Sequence, residues 1–339
     1  MSEPDFPTWH ADPRLPTDTP FTSADAARRG VGGNVLARLT REGALRRVVR
    51  GVYVDGATPD TPNLRARAIS LVVPKAAVIT DLTAAWLYGV DLYPPSIYWI
   101  SRPLHYVRFR DCTRVRRPEV QSGRRTFADD DLRRLNQLTV TTPLRTAADL
   151  ARSQRRGDAL AALDAMLRLD DFSKDQLLGA VERFRGHRGV VQFRDLAPMA
   201  DGRSESVNES KLRLEWIDAG LPAPDLQLPI CAGPARRLYR LDIGDPAVKY
   251  AAEFDGEEYH STPEQQQHDR VRRDDVRSEG WIIDVFHTHD LYDHATVGVL
   301  RAGHRRATER TERREQTARG VTDLSTHRKF WGLSDPSAI

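Results

Sequence analysis

The chain has 339 residues, 40% apolar and 29% charged, with a net charge of +3. That length predicts two or three domains, and the apolar share excludes a mostly disordered chain. The longest apolar stretches, near Ala68–Val73 and Ala76–Ile79, are broken by Ser70, Pro74 and Lys75. They fall far short of the roughly 20 residues that a membrane span needs. The opening MSEPDFPTWH has no basic-then-apolar signal pattern, so a soluble, cytoplasmic protein is expected. Cys112 and Cys231 form no CxxC pair, which excludes a cysteine-rich structural zinc site. Of the 51 basic residues only Lys75, Lys174, Lys211, Lys249 and Lys329 are lysines, so a catalytic lysine must be sought among these few.

Residues 1–18 are polar and rich in Pro and Asp, as in a flexible tail. Thr22 with Asp25 three positions on marks a helix start, with a carboxylate near the free N–H groups. That helix runs through Arg29 and stops at Gly30. A second helix spans Asn34–Glu42, with Val35, Leu36 and Leu39 on one side and Gly43 as its stop. Leu45–Val49 and Val52–Val54 read as strands joined at Arg50-Gly51. Two helices followed by a hairpin, over 19–57, is the outline of a winged helix-turn-helix. Between Phe21 and Asp55 there are seven arginines against three acids. Arg38 and Arg41 lie on the second helix, and Arg46, Arg47 and Arg50 crowd the hairpin. Cations so placed would neutralise the phosphates of double-stranded DNA; the alternative is a solvated hairpin.

Residues 60–200 read as a mixed α/β middle domain. Leu64–Val73 and Thr80–Tyr88 are expected helices; Ile97–Ile100, Val107–Arg110 and Leu138–Thr141 are expected strands. Thr142 and Pro143 open a helix through Ala151. Asp158–Leu169 carries Leu160, Leu163 and Leu167 on one face. Ser173 with Gln176 caps a helix toward Phe184. Trp86, Trp99 and Phe109 read as core residues. Arg102–Arg134 holds ten arginines against five acids, either an extended DNA face or a solvated surface.

Residues 203–300 carry the chemistry. On a helix over Val207–Ala219, Glu209 lies about 20° from Trp216 around the axis, so an acid sits on the expected buried stripe. Burying it requires a partner or a metal; Arg213 at i+4 is one candidate. Next comes Leu241-Asp242-Ile243, an apolar strand with one acid. After a turn at Gly244–Pro246, the strand Val248–Asp255 places Lys249, Ala251, Glu253 and Asp255 on one face. Glu253 and Asp255 repel unless a metal, Arg240 or Arg273 neutralises them. Gly256 ends that strand and His260 follows. A helix over Glu264–Ser278, with Asp269, Arg270, Arg273 and Asp274 on a polar face, leads to the strand Trp281–Phe286. His287 and His289 lack a third ligand for zinc. Residues 301–339 read as a polar, charged tail in which His304–Arg314 forms a solvated helix.

The order helix, strand, turn, strand, helix, strand, with one acid on each of the first three, resembles the PD-(D/E)XK nuclease fold. It is closer to the very-short-patch-repair (Vsr)-like branch of that fold. The stretches NESKLRLEWIDAGLP, LQLPI, RLDIGDP, AAEFDGEEYH, HDRVRRDD and GWIIDVFHTHDL carry the resemblance. It implies Mg²⁺ or Mn²⁺ held by Asp242 and Glu253, with Glu209 as a supporting ligand. It also implies His260 as general base and Gln227 at the polar position before the first acid strand. The family's lysine two residues after the second-strand acid is replaced here by Asp255.

In the same way, FTSADAARRGVGGNVLARLTREGALRRVVRGVYV resembles the winged-helix domain of AbiEi-type antitoxins of type IV toxin–antitoxin systems. ITDLTAAWLYGVDL, TVTTPLRTAADLARS and ALAALDAMLR resemble the segment after that domain in long actinobacterial proteins that end in a Vsr-like domain. The expected architecture is multidomain, α+β and α/β: winged helix-turn-helix, mixed α/β middle, restriction-endonuclease-like end. The expected function is DNA binding with Mg²⁺-dependent phosphodiester hydrolysis. Its alternative is a transcriptional regulator with a catalytically degenerate endonuclease-like domain. Double-stranded DNA and a cognate toxin are the implied partners, with no membrane.

Overall fold

The computed structural model describes residues 12–93, 102–108, 120–121, 125–256, 263–292 and 295–330. The protein is mixed α/β, with eleven α-helices and three small sheets among the described residues. It divides into two compact units, Met1–Gly202 and Arg203–Ile339. No helix among the described residues is long and apolar enough to cross a membrane.

The first unit opens with β1 (Phe21–Thr22), α1 (Ser23–Arg28), α2 (Gly33–Arg41), β2 (Leu45–Val49) and β3 (Val52–Asp55). The helix start at Thr22 is as expected. Its Oγ1 accepts from the Asp25 N–H at 3.1 Å, and the Asp25 carboxylate accepts from the Thr22 N–H at 2.8 Å. Two otherwise unpaired donors are thus satisfied reciprocally. The β2–β3 turn uses Gly51 at φ +76°, a conformation costly for any residue with a Cβ. Phe21, Ala26, Leu36, Leu39 and Leu45 form a small core. Val48, Val49, Val52 and Val54 pack instead with Leu64, Ile69, Trp86 and Val140 of the following segment. The hairpin therefore shares its core with the residues after it.

That segment comprises α3 (Pro62–Ser70), β4 (Ala77–Ile79), α4 (Asp81–Leu87), β5 (Leu104–Arg108), β6 (Val120–Gln121), β7 (Leu132–Leu135), β8 (Leu138–Thr141), α5 (Pro143–Ser153), α6 (Arg156–Leu167), α7 (Lys174–Arg183) and α8 (Val190–Leu196). The sheet order is β6-β5-β4-β8-β7. The expected strand Ile97–Ile100, with Trp99, and the expected core residue Phe109 lie outside the described residues. Trp86 is in the core as expected. Thr142 caps α5 and Ser173 with Gln176 forms the expected box at α7.

Beneath α5 runs a buried chain of ion pairs that the sequence did not announce. Arg145 reaches Asp131 at 2.6 Å and Asp149 at 3.0 Å. Arg125 joins Asp149 at 3.0 Å to Asp81 at 2.8 Å. Arg152 also pairs with Asp149. Burial alone would raise the Asp81 carboxyl, but His105 and Arg125 beside it hold it well below the usual carboxylate range.

The second unit runs α9 (Val207–Asp218), β9 (Asp225–Ala232), β10 (Arg237–Asp245), β11 (Tyr250–Phe254), α10 (Pro263–Ser278), β12 (Ile282–Phe286) and α11 (Ala295–Phe330). The sheet order is β12-β11-β10-β9. β9, β10 and β11 are antiparallel, while β11 and β12 are parallel, with α10 as the crossover that a parallel pair needs. Both faces of β11 are buried. Tyr250 and Ala252 pack with Leu212 and Trp216 of α9 and with Leu300 and Ala307 of α11. Ala251 packs with Val276 of α10 and Trp281.

The run 301–339, expected as a polar tail with a solvated helix, lies in α11 as far as Phe330. Its first part is docked rather than solvated. His304 Nε2 lies 2.9 Å from Asp245 Oδ2, and its ring meets Trp216 and Tyr250 edge-on. Tyr250 stacks on Trp216 and donates to Asp284 at 3.0 Å. A glycine, Gly303, lets the helix approach so closely that a Cβ there would lie 2.5 Å from the Tyr250 ring.

Candidate functional site

The acids that the sequence singled out converge at one end of β10 and β11. The β10–β11 backbone ladder pairs Asp245 with Tyr250, Gly244 with Ala251 and Ile243 with Ala252. At the next positions, Asp242 and Glu253, the Asp242 side chain takes over. Its Oδ2 accepts from the Phe254 N–H at 2.8 Å, so a carboxylate replaces a backbone acceptor where the strands part. On the other side of β10, the ladder pairs Leu241 with Leu228 and Ile243 with Leu226. Between them, opposite Asp242, Gln227 adopts φ +53°. A left-handed residue that is not glycine costs on the order of 1 kcal/mol or more. Here it accompanies an amide aimed at the cluster: Gln227 Nε2 donates to Glu209 Oε2 at 2.8 Å.

Glu209 stands in the first turn of α9. Its N–H is capped by Ser206 at 3.1 Å, and its carboxylate also accepts from the Glu205 N–H at 2.9 Å. It is half-buried, and its partners are Gln227 and a backbone N–H, not the i+4 arginine considered from the sequence. Arg240 likewise goes elsewhere, to Glu205 at 2.6 Å.

Glu253 is buried, and α10 supplies its counter-ion. Arg272 donates from Nη2 to Oε1 at 2.6 Å and from Nη1 to Oε2 at 3.2 Å. This is a two-pronged guanidinium–carboxylate pair. Arg272 Nη2 also donates to the Arg240 carbonyl at 2.6 Å. The next residue, Arg273, donates to Asp255 at 2.7 Å. Of the polar face expected on α10, Arg273 is turned toward the acids while Arg270 and Asp274 are exposed, and Arg272 is the residue that sequence reasoning missed. Adjacent arginines on the helix opposite an acid strand were the available signal.

The electrostatics are uneven. Burial, which exceeds the help of Arg272 and Arg273, raises the Glu253 carboxyl. Asp242 moves further, to about 7. Burial is the main cause; the Phe254 N–H opposes it, and the charges of Glu209 and Glu253 add to it. Asp242 is held by the Phe254 N–H and Glu209 by Gln227 and the Glu205 N–H, whereas Glu253 and Asp255 each have an arginine.

Arg272 would compete with a divalent cation for Glu253 as these side chains stand. Both Glu253 oxygens are engaged by Arg272, and no group of three or more His, Cys, Asp or Glu that could hold a metal occurs among the described residues. His260, expected as general base, lies outside the described residues. Lys249, too far along β11 to act as the missing lysine, donates to the Glu279 carbonyl at 2.9 Å.

The expected DNA contacts of the first unit divide in two. Arg38, Arg41, Arg47 and Arg50 are exposed, and Arg38 lies 3.8 Å from Glu42. Arg46 is tied inward, donating to the Thr58 carbonyl at 2.9 Å and lying 3.7 Å from Asp60.

A family model described as the AbiEi antitoxin C-terminal domain matches residues 76–199. Two curated proteins of Mycobacterium tuberculosis are similar over a longer stretch. They are the uncharacterized protein Rv2248 of strain H37Rv and the uncharacterized protein MT2308 of strain CDC 1551. Each is 36% identical over 245 residues, which covers 72% of this chain and 85% of the relative. The chain therefore belongs to the AbiEi antitoxin C-terminal domain family and is a homologue of Rv2248.

Proposed function

We propose that this chain is an AbiEi-type regulator that binds double-stranded DNA through its first two helices and hairpin, and that its endonuclease-like second unit does not cut. The observation that carries the non-cutting part is the Arg272 fork on Glu253. A guanidinium occupies both oxygens of an acid that a metal-dependent nuclease would need open. The family match at 76–199 supports the antitoxin part, with a cognate toxin as the protein partner and the cytoplasm as the setting. Arg38, Arg41, Arg47 and Arg50 are the phosphate contacts in this reading, and Arg46 is structural.

The test is anisotropy of a labelled duplex from upstream of the gene, titrated with the full chain from 50 to 300 mM salt. Replacing Arg41, Arg47 and Arg50 together by Gln should flatten the slope of log K against log salt by about 2.7, at about 0.9 per phosphate. No salt-dependent binding by the unaltered chain would refute the regulator reading.

One observation favours the rival, Mg²⁺-dependent hydrolysis with Asp242, Glu253 and Glu209 as metal ligands and His260 beside them. Asp242 retains its proton to about 7 partly because two carboxylates crowd it, a repulsion that a cation would relieve. Incubation of plasmid, nicked and mismatched DNA with Mg²⁺ or Mn²⁺ decides it: cleavage abolished by Asp242→Ala would establish a nuclease.

A further inference from the structure

The second unit carries a basic cleft on α11, which packs on the Tyr250–Ala252 face of β11, whereas Arg272 of α10 reaches Glu253 from the other face. Arg306, Arg310, Arg313 and Arg314, with Glu309 and Thr317, line a cleft of about 340 Å³ along α11. The spacing is i, i+4, i+7 and i+8, so the four guanidiniums share one face of the helix. Two features place them. Arg306 is anchored to Asp284 at 3.2 Å. Arg314 lies over the turn at Gly280, where φ is +88° and a Cβ would come within 2.7 Å of its Nη1. The same turn draws further cations: Lys249 donates to the Glu279 carbonyl, and Arg236 lies 3.9 Å from Glu279 Oε1. Lys249 immediately precedes β11, whereas Glu253 is near that strand's end. Lys249, beside the Gly280 turn, and Glu253 are thus about 13 Å apart along the strand.

Beyond Ala307 the helix leaves the core. From Thr308 to Thr317 its side chains are exposed or half-buried, and Thr311 donates to the Val248 carbonyl at 3.3 Å. Four arginines against one acid, Glu309, which lies 4.0 Å from Arg313, leave this helix face net basic, and guanidinium forks match the oxyanions of a phosphodiester.

We propose that this cleft is a second phosphate-contact site for the backbone of duplex DNA. The proposal rests on the DNA-binding reading above and adds a site that the helix–hairpin segment does not contain. It is sequence-independent, because guanidinium–phosphate contacts carry no base information.

The experiment uses the full chain, the upstream duplex and an unrelated duplex of equal length. Replacing Arg310 and Arg314 together by Gln should lower the salt slope by about 1.8 on both duplexes. Glu309→Gln, which removes the one acid in the cleft, should tighten binding on both. A tighter variant cannot be explained by misfolding. Inorganic phosphate and a mononucleotide at millimolar concentration serve as competitors. If either displaces DNA from the unaltered chain but not from the Arg310/Arg314 variant, DNA and free phosphate compete for the cleft, as the proposal expects; binding of either competitor that needs Arg310 and Arg314 yet leaves DNA bound would overturn the DNA assignment. Unchanged slope and affinity in both cleft variants, with binding still weakened by the Arg41/Arg47/Arg50 variant, would overturn the cleft proposal alone. Absence of DNA binding by the unaltered chain would sink both readings.

Discussion

Asp242→Asn should make the second unit more stable at pH 8, and by less than half as much at pH 5. Asp242 titrates near 7 in the folded protein, against 3.8 for an ordinary aspartate. Between those values the folded chain holds a proton that the unfolded chain has released. Stability must then fall as pH rises through that window, because the state that binds more protons is favoured at low pH. A shift of about three units corresponds to about 4 kcal/mol; since Asp242 is half-buried, about 2–3 kcal/mol is the sounder expectation. Asparagine keeps an oxygen to accept from the Phe254 N–H and carries no charge, so it removes the pH-dependent cost and retains the contact. Glu253 is displaced in the same direction, so the variant should keep a reduced slope. Urea unfolding of the full chain at pH 5, 6, 7 and 8, followed by amide exchange in β10 and β11, reads the effect. An identical pH slope in the variant, or stability that climbs from pH 5 to 8 in the unaltered chain, would refute the reasoning. Repeating the pH 8 melt with 10 mM MgCl₂ adds an arm: stabilisation of the unaltered chain that the variant lacks would mean the acid cluster accepts a cation after all.

Arg145→Met should cost the first unit about 1–3 kcal/mol, because Asp131 and Asp149 lose the counter-ion they share while Arg183 still pairs with the first and Arg125 and Arg152 with the second; urea unfolding at pH 7 measures it. Gly303→Ala sets two effects against each other. Helix propensity favours alanine by about 1 kcal/mol, but the new methyl meets Tyr250 and Asp284 at 2.5 Å or less, and overpacking of this kind costs about 1–3 kcal/mol. Net destabilisation is expected, with the Trp216 emission shifted, and a gain in melting temperature would show that α11 docks differently.

The parts of this fold that were legible in the sequence are those written in local chemistry. Thr22 with Asp25, Thr142 with Pro143 and Ser173 with Gln176 each name a helix start by satisfying its own first turn. Gly51 names the hairpin turn. Asp242 was legible because an acid inside Leu241–Ile243 has no cheap explanation. What was not legible depends on distance. Arg272 and Arg273 look alike in HDRVRRDD, and only the pitch of α10 over the sheet gives the first to Glu253 and the second to Asp255. Asp131 and Asp149 read as ordinary surface acids until Arg145 is seen between them. α11 was misread for a different reason. Its buried side is built from Leu300, Gly303, His304 and Ala307, too small and too polar to register as an apolar stripe, and its docking relies on the shape of Tyr250 and Trp216 rather than on greasiness.

The position of α11 has a consequence for synthesis. Ribosomes deliver chains from the N-terminus, and a unit can close only when its last core residue has emerged. For the second unit those residues are Leu300 and Ala307, so α9 and all four strands are made before the surface around Trp216 and Tyr250 can be covered. The first unit, whose core is complete by Ala200, has no such wait. Until Ala307 is out, a nascent chain would present a folded N-terminal half joined to an aromatic sheet face still open to water. That interval is when a chaperone, or the wrong neighbour, would find it.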